Sequence, residues 1–227
     1  IDLENIYNLR NIPDSDRIKK FVDEKKPQSA VIVGGGFIGL EMAENLAIRG
    51  VKTTIVEKLE QVMPLLDFEM ASFMSAHLKE KGVDCVIGDG IKSFSKGGDG
   101  LVLKTENGKT LTCDMAILSI GVKPENRLAR EAGLDIGRRG GIKVSATMQT
   151  SDPDIYAVGD AVEVTDYVTG FTTMTALAGP ANKQGRVAAD NVMGRRSIFR
   201  GTMGTSVVQM FDMTVASTGA SERFLID

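Results

Sequence analysis

The feature that most constrains this chain is a glycine-rich turn between an apolar segment and a helical one. Gly34, Gly36 and Gly39 follow Ser29–Val33, which has the pattern of a buried strand, and a helical pattern then runs to Arg49. In such turns the first glycine permits a tight bend, the second lets backbone approach a pyrophosphate, and the third lets helix and strand pack closely. The spacing therefore predicts the strand–turn–helix unit of a Rossmann-like α/β domain.

The residues around this turn predict a dinucleotide ligand. Phe37 and Ile38 open the helix, whose N–H groups and dipole favour phosphate. The next predicted strand, Lys52–Val56, is followed by Glu57, where a carboxylate can accept both ribose hydroxyls. Glu57 would repel a 2′-phosphate and Lys58 can soften that repulsion, so we expect NADH to bind more tightly than NADPH. The alternative is a glycine-rich turn without a ligand.

Composition excludes several other classes of function. The net charge of −3 gives no general attraction to nucleic acid or anionic membranes, and no apolar run approaches the ~18 residues of a membrane span. Cys85 and Cys113 lie far apart and form no CxxC pair, so we predict neither a metal site nor a disulfide framework. We expect a reducing, cytoplasmic setting. The ends, at Ile1 and Asp227, suggest a piece of a longer chain.

The remaining periodicity divides the chain into further elements. Helices are predicted at Ser15–Lys25 and from an Asp67 N-cap to Gly82, with the lone His77 in a solvated or packing role. Predicted strands, three of them forming a β-meander closed by an Asn-Gly turn, are Val83–Ile87, Ile91–Ser95, Leu101–Thr105, Thr110–Asp114 and Met115–Ile120.

A second pattern follows towards the C-terminus. Ile155–Val158 reads as a buried strand that ends in Gly159 and Asp160, which would place a carboxylate at the ligand-binding edge of a sheet. A strand-ending Asp is otherwise a common turn former or helix cap. A helix with Pro180 near its first turn and a stop at Gly194 comes next. Two further predicted strands are Ser206–Phe211 and Met213–Ala216.

Four segments, taken in order, resemble the flavin-dependent pyridine nucleotide-disulfide oxidoreductases, most closely the coenzyme A-disulfide reductase and NADH oxidase branch. They are Gly34-x-Gly36-x-x-Gly39-x-Glu41-x-Ala43, Ile117-Leu118-Ser119-Ile120-Gly121-x-x-Pro124, Thr150 followed by Ile155-Tyr156-Ala157-Val158-Gly159-Asp160, and Leu177-Ala178-Gly179-Pro180-Ala181-Asn182-x-Gln184-Gly185-Arg186.

The resemblance implies a domain map and cofactor contacts. Residues 1–26 would link from a missing FAD-domain segment, 27–141 form the NAD(P)-binding domain, 142–200 the second part of the FAD domain, and 201–227 the start of an α+β dimerisation domain. Asp160 would hydrogen-bond the FAD ribityl chain, Leu177, Ala178, Gly179 and Pro180 would approach the isoalloxazine, and Glu41 would face the nicotinamide. Gly121 joins this cofactor-binding set.

The departures from the family limit what the chain can do alone. The family's first FAD segment, with its own glycine motif, has no counterpart here, and neither Cys85 nor Cys113 matches the redox-active cysteine. We therefore expect no catalytic residue in this chain. The resemblance implies a homodimeric parent that passes hydride from NAD(P)H to FAD and on to a small disulfide such as CoA disulfide. The alternatives are an NADH oxidase or peroxidase and a non-catalytic nucleotide-binding module.

Overall fold

Residues 3–226 are described by the structure, a computed structural model, and they form thirteen strands and six helices. In chain order these are β1 (Ile6–Asn8), α1 (Ile12–Lys25), β2 (Ser29–Val33), α2 (Phe37–Ile48), β3 (Lys52–Glu57), α3 (Phe68–Glu80), β4 (Asp84–Ile87), β5 (Ile91–Gly97), β6 (Gly100–Thr105), β7 (Thr110–Cys113), β8 (Met115–Leu118), α4 (Arg127–Glu131), β9 (Ile142–Lys143), β10 (Val162–Thr165), β11 (Thr172–Thr173), α5 (Ala178–Val192), β12 (Ser206–Met210), β13 (Met213–Ser217) and α6 (Glu222–Ile226).

The glycine-rich turn leaves the central strand of a five-stranded parallel sheet with the order β1-β8-β2-β3-β4. The apolar runs of β2, β3 and β8 suit this position, because parallel strands are covered on both faces. Val33 pairs with Val56 on one side and Leu118 on the other, so all three strands end at the same edge. The predicted Rossmann-like α/β fold is confirmed.

Helices α2 and α3 bury their apolar stripes in the main core of this sheet. Leu40, Ala43 and Leu46 of α2 are buried, as are Met74 and Leu78 of α3. These residues recur at three- and four-residue spacing, the period that puts side chains on one face of a helix. The spacing of apolar residues in the sequence therefore predicts which face of each helix packs inward.

The predicted β-meander is confirmed as the antiparallel sheet β5-β6-β7. Leu101 and Leu103 of β6 pack with Val31 and Val56 of the parallel sheet, so the meander covers one of its faces. The turn between β6 and β7 contains Asn107-Gly108, with Gly108 at φ 84°. The meander is therefore part of the same hydrophobic core as the parallel sheet.

The N-terminal residues, whose structure the sequence left open, add an edge strand. Ile6–Asn8 pair in parallel with β8, and α1 follows three residues earlier than the predicted Ser15 start. The Asn11 side chain accepts a 3.0 Å hydrogen bond from the Asp14 N–H and so caps α1. Ile1 and Asp2 lie outside the described residues, as does Asp227.

The chain divides into two compact units. One holds the chain up to Gly121 with Val208–Val215 and the segment from Ser221, and the other holds Val122–Val207 with Ala216–Ala220. The second unit contains the small sheet β11-β10-β9 and α5. Its core is made of buried apolar side chains, namely Ala129, Ile142, Met148, Val162, Val164, Val187 and Phe199.

The predicted strand Ile155–Val158 is wrong. Only Tyr156 forms a bridge, to Gln149, and Ile155 and Val158 are 37% and 39% exposed. Two backbone hydrogen bonds make this bridge, from the Thr150 N–H to the Ile155 carbonyl at 2.9 Å and from the Ala157 N–H to the Met148 carbonyl at 3.1 Å. An apolar run becomes a strand only where a neighbouring strand satisfies its backbone, and the described residues supply only this one bridge.

Candidate nucleotide-binding site

The turn after β2 is shaped by a close approach between Gly34 and Ser119. Gly34 has φ 108°, and a Cβ on it would lie 2.4 Å from the Ser119 carbonyl oxygen. The Ser119 hydroxyl donates to the Val33 and Gly34 carbonyls at 2.9 and 3.0 Å. The end of β8 therefore holds the first glycine in place, and no larger residue fits there.

Gly39 is required by the same turn for a different reason. A Cβ on Gly39 would lie 1.9 Å from the Gly34 carbonyl oxygen and 2.8 Å from the Ser119 hydroxyl oxygen. Real Cβ atoms essentially never approach oxygen so closely, so a side chain would force α2 away from β2. This is the close helix–strand packing that the third glycine of the motif was predicted to provide.

Gly36 differs from both, because no described residue crowds it. It is the N-cap of α2 with extended backbone, φ −83° and ψ −170°, and no atom of residues 3–226 lies within 4 Å of a Cβ built on it. No side chain caps α2, so the N–H groups of its first turn, which includes Phe37 and Ile38, face this space without an intrahelical partner. This cradle fits a pyrophosphate.

Glu57 is held at the end of β3 by two backbone groups. Its Oε2 accepts a 2.6 Å hydrogen bond from the Gly35 N–H, and its Oε1 accepts a 2.7 Å bond from the Leu59 N–H. The side chain is only 8% exposed. Each carboxylate oxygen keeps a further lone pair, so Glu57 can still accept hydrogen bonds from a ribose.

Gly35 and Ser119 are site residues that the sequence reasoning missed. A Cβ on Gly35 would meet Val62 Cγ1 at 3.1 Å and Glu57 Oε2 at 3.3 Å, so only glycine sits easily beside the carboxylate. The Met63 N–H donates to the Gly35 carbonyl at 2.8 Å. The signals were a fourth glycine inside the motif and a lone hydroxyl directly after the apolar strand β8.

Lys58 forms an ion pair with a residue of the β-meander. Its ammonium lies 2.9 Å from the Glu106 Oε1 in the β6–β7 turn, and the two side chains are 69% and 46% exposed. Lys58 can therefore soften the repulsion of a 2′-phosphate only by giving up its ion pair with Glu106.

Glu41 follows the glycine turn along the chain, and Gly121 follows β8, the strand that pairs with β2. Glu41 has an exposed side chain in the second turn of α2, and Gly121, with φ 100°, follows Ser119 at the end of β8. Ile120 beside it is 74% exposed. The chain thus presents an apolar side chain directly after Ser119, the residue that contacts Gly34.

The other predicted cofactor residues belong to the second unit. Gly159, with φ 87°, donates its N–H to the Gln184 Oε1 at 2.7 Å, and Gln184 is 1% exposed. Asp160 follows with an exposed side chain. Leu177 is the N-cap of α5, and the helix begins at Ala178, so Gly179 and Pro180 lie in its first turn. Gln184 thus fixes the backbone beside Asp160.

The two cysteines are protected thiols. Cys113 is buried and Cys85 is half-buried, and burial raises the pKa of each thiol to about 11. A reactive cysteine needs a lowered pKa, so neither has the environment of a redox nucleophile. Between residues 3 and 226 no group of three or more His, Cys, Asp or Glu side chains is arranged to hold a metal.

The chain belongs to the pyridine nucleotide-disulphide oxidoreductase family, whose model matches residues 2–185. A solved structure of reduced CoADR-RHD from Bacillus anthracis is 50% identical to it with a TM-score of 0.95, and the match covers 98% of this chain and 40% of that one.

Two curated relatives also match nearly the whole of this chain and about half of their own length. An NADH oxidase of Methanocaldococcus jannaschii is 36% identical over 96% of this chain and 48% of its own length. A coenzyme A disulfide reductase of Staphylococcus haemolyticus is 31% identical over 96% of this chain and 49% of its own length. The chain spans about half the length of these relatives. No helix among the described residues is long and apolar enough to cross a membrane.

Proposed function

We propose that the turn from Gly34 to Gly39 binds NAD(P)H, and that the chain is part of a flavoprotein that passes hydride from NAD(P)H to FAD and on to a disulfide such as CoA disulfide. The observation that carries the proposal is the open space at Gly36. Gly34, Gly35 and Gly39 are glycines because the protein itself crowds them, whereas the space over Gly36 is free for a ligand.

Each residue of the site has a role in binding the nucleotide. The N–H groups at the start of α2, from Phe37 and Ile38, would bind the pyrophosphate, and Glu57 would accept the ribose hydroxyls. Glu41 and Gly121 would lie towards the nicotinamide, with Lys58 near the ribose. NAD(P)H supplies hydride in such proteins, and the chain binds and orients it.

The second unit would contribute to a flavin site. Asp160 would bind the ribityl chain, and the backbone from Leu177 to Pro180 would approach the isoalloxazine ring. The sequence contains one Gly-x-Gly-x-x-Gly motif, which the nucleotide site uses, so the cradle for the FAD pyrophosphate is not among these residues. We assign residues 142–200 to the second part of a flavin domain and 201–227 to the start of a dimerisation domain in a cytoplasmic homodimer.

Nuclear magnetic resonance can test the nucleotide site directly. We expect NAD+ to shift the backbone amide signals of the glycine turn, of Glu57 and of Ser119, and to leave the β5–β6 turn around Asp99 unchanged. Shifts that avoid the turn would place the ligand elsewhere. No shifts at saturating NAD+ would leave a glycine-rich turn without a ligand and refute the proposal.

An NADH oxidase is the second candidate, because the Methanocaldococcus jannaschii relative carries that name. The complete protein can be tested by following NADH consumption with CoA disulfide in the absence of oxygen, and with oxygen in the absence of disulfide. We expect turnover with the disulfide. Turnover with oxygen alone would favour the oxidase, and turnover with neither would favour a non-catalytic nucleotide-binding module.

A further inference from the structure

We propose that Glu106 is a coenzyme-selecting residue. Glu106 holds the Lys58 ammonium in an ion pair at the β6–β7 turn. Lys58 is then not available to neutralise the 2′-phosphate of NADPH, and the unphosphorylated dinucleotide binds more tightly. The inference rests on the nucleotide site proposed above, and it assigns a function to the β-meander, which is otherwise only a cover for one face of the sheet.

The end of β3 is joined to the segment that precedes the meander. After β4 the chain turns through residues 88–90. The Gly88 N–H donates to the Leu59 carbonyl at 3.0 Å, and the Asp89 N–H donates to the Glu57 carbonyl at 3.1 Å. These bonds lie on both sides of Lys58, so residues 88–90 are aligned beside the position where the ribose is expected.

The same segment fixes the β6–β7 turn. The Glu106 N–H donates to the Gly90 carbonyl at 2.8 Å. The Asn107 N–H donates to Asp89 Oδ1 at 3.0 Å, and the Asn107 side chain donates to the Gly88 carbonyl at 3.2 Å. Asp89 is only 3% exposed. The position of Glu106 next to Lys58 is therefore set by backbone contacts as well as by the ion pair.

The charges in this corner are mostly negative. Lys58 directly follows Glu57, which is fixed at the end of β3, and its ammonium lies 2.9 Å from Glu106 Oε1. Asp89 and Glu60 add two further carboxylates, because Asp89 Oδ1 accepts the Asn107 N–H and the Glu60 oxygens lie 3.6 Å from where a Gly88 Cβ would stand. Lys58 is thus neutralised by its nearest partner, and a phosphate entering here would meet several carboxylates whose charge Lys58 alone does not balance.

Binding of NADPH would require the Lys58–Glu106 ion pair to break, whereas binding of NADH would not. A 2′-phosphate beside Glu57 would have to draw Lys58 away from Glu106 and would then leave Glu106 as a nearby unpaired anion. A ribose hydroxyl needs neither change. Removing the charge of Glu106 should release Lys58 for a charge-assisted hydrogen bond to the phosphate and remove one repulsion at the same time.

The test measures binding of NAD+ and NADP+, which do not reduce a flavin, by isothermal titration calorimetry. In Glu106→Gln we expect NADP+ to bind about three- to tenfold more tightly relative to NAD+, the range for an exposed charge pair with its repulsion removed. Affinity for NAD+ should stay within about twofold. The shift should shrink at high salt, because exposed charges are screened.

Two further variants separate the explanations. Asp99→Asn makes the same charge change at the opposite end of β6 and should leave the ratio unchanged. In Lys58→Gln/Glu106→Gln the gain for NADP+ should fall by at least half, because the released cation is gone. An unchanged ratio in Glu106→Gln, or a full gain in the double variant, would overturn the inference. Failure of the unaltered protein to bind NAD+ would instead refute the nucleotide site itself.

Discussion

The Glu57 carboxylate accepts a 2.6 Å hydrogen bond from the backbone N–H of Gly35, which lies 22 residues earlier in the chain. This bond joins the end of β3 to the turn after β2, the two places where a dinucleotide would be held. A second bond from the Leu59 N–H fixes the other oxygen at 2.7 Å. The negative charge is therefore oriented before a ligand arrives, which lowers the ordering cost of binding.

The first prediction concerns Gly36→Val. No atom of the described part of the chain lies within 4 Å of its Cβ position and its φ is −83°, so the fold should lose only about 1 kcal/mol or less. The side chain would fill the space proposed for the pyrophosphate, and NAD+ binding should be lost. Calorimetry with a thermal unfolding curve of the same sample tests both parts, and normal NAD+ affinity in this variant would refute the site.

The matched variant for this prediction is Gly39→Ala. Its Cβ would lie 1.9 Å from the Gly34 carbonyl oxygen, so the backbone must move. We expect a loss of roughly 2–4 kcal/mol of unfolding free energy from overpacking. The smaller substitution should thus damage the fold more than the larger one three residues earlier. Equal stability of the two variants would mean that the motif's glycines are interchangeable.

The second prediction concerns Glu57→Gln. The unaltered protein should bind NADH more tightly than NADPH by roughly 1–3 kcal/mol, because two close negative charges repel in partial solvent. The amide removes the charge and leaves the Gly35 or Leu59 N–H without an acceptor, which should destabilise the fold by about 1–3 kcal/mol.

Calorimetry with NAD+ and NADP+ should therefore show a smaller preference in Glu57→Gln, while Glu69→Gln on the exposed side of α3 keeps it. Equal or stronger NADP+ affinity in the unaltered protein would rule out Glu57 as the discriminating residue.

Local patterns predicted the nucleotide fold well, because its signals lie within short stretches. The glycine spacing, the buried strand Ser29–Val33 and the Asn-Gly hairpin each depend on neighbouring residues only, and the structure has all three. The two strands of the C-terminal hairpin were predicted at Ser206–Phe211 and Met213–Ala216, and they lie at Ser206–Met210 and Met213–Ser217.

The features that local patterns did not predict depend on residues far apart in the chain. The partnership of Ser119 with Gly34, 85 residues away, and that of Lys58 with Glu106, 48 residues away, follow from sheet order rather than from any motif. The predicted strand at Ile155–Val158 failed for the same reason, since pairing needs a neighbour. Asp67 is the N-cap of α3, but its carboxylate accepts from the Arg223 N–H at 3.1 Å rather than from its own helix.

The third prediction concerns the thiols. Burial raises the pKa of Cys85 and Cys113 to about 11, so both should stay protonated at neutral pH. Alkylation of the folded protein by iodoacetamide at pH 7.5 should be slower than that of the urea-unfolded protein by about a hundredfold or more. Because the folded pKa lies above the unfolded one, the thiols' contribution to stability is intact below about pH 8.5 and is lost as the pH rises through 11.

The variant for this prediction is Cys85→Ser/Cys113→Ser. Neither thiol is expected to be the family's redox-active cysteine, so the double variant should bind NAD+ as the unaltered chain does. Rapid alkylation of either cysteine at neutral pH would show a thiolate and would reopen the question of a redox role.

The fourth prediction concerns the flavin. Asp160 and the start of α5 are present in this chain, but its one Gly-x-Gly-x-x-Gly motif is the one we propose binds NAD(P)H. Half a site provides few phosphate contacts, and binding must first overcome an association cost of several kcal/mol. We therefore expect the 227-residue chain to purify colourless, with no flavin absorbance.

Ile155 and Val158 lie in the unit that carries Asp160, and they are 37% and 39% exposed. Apolar surface near Asp160 is therefore left uncovered in this chain. Added FAD should leave the melting temperature of this chain unchanged, whereas NAD+ should raise it, because a ligand stabilises only the state that binds it. A Gly36→Val control should lose the NAD+ effect alone. A yellow preparation with one FAD per chain would show that these residues form a complete flavin site, and the argument from the missing glycine cradle would then be wrong.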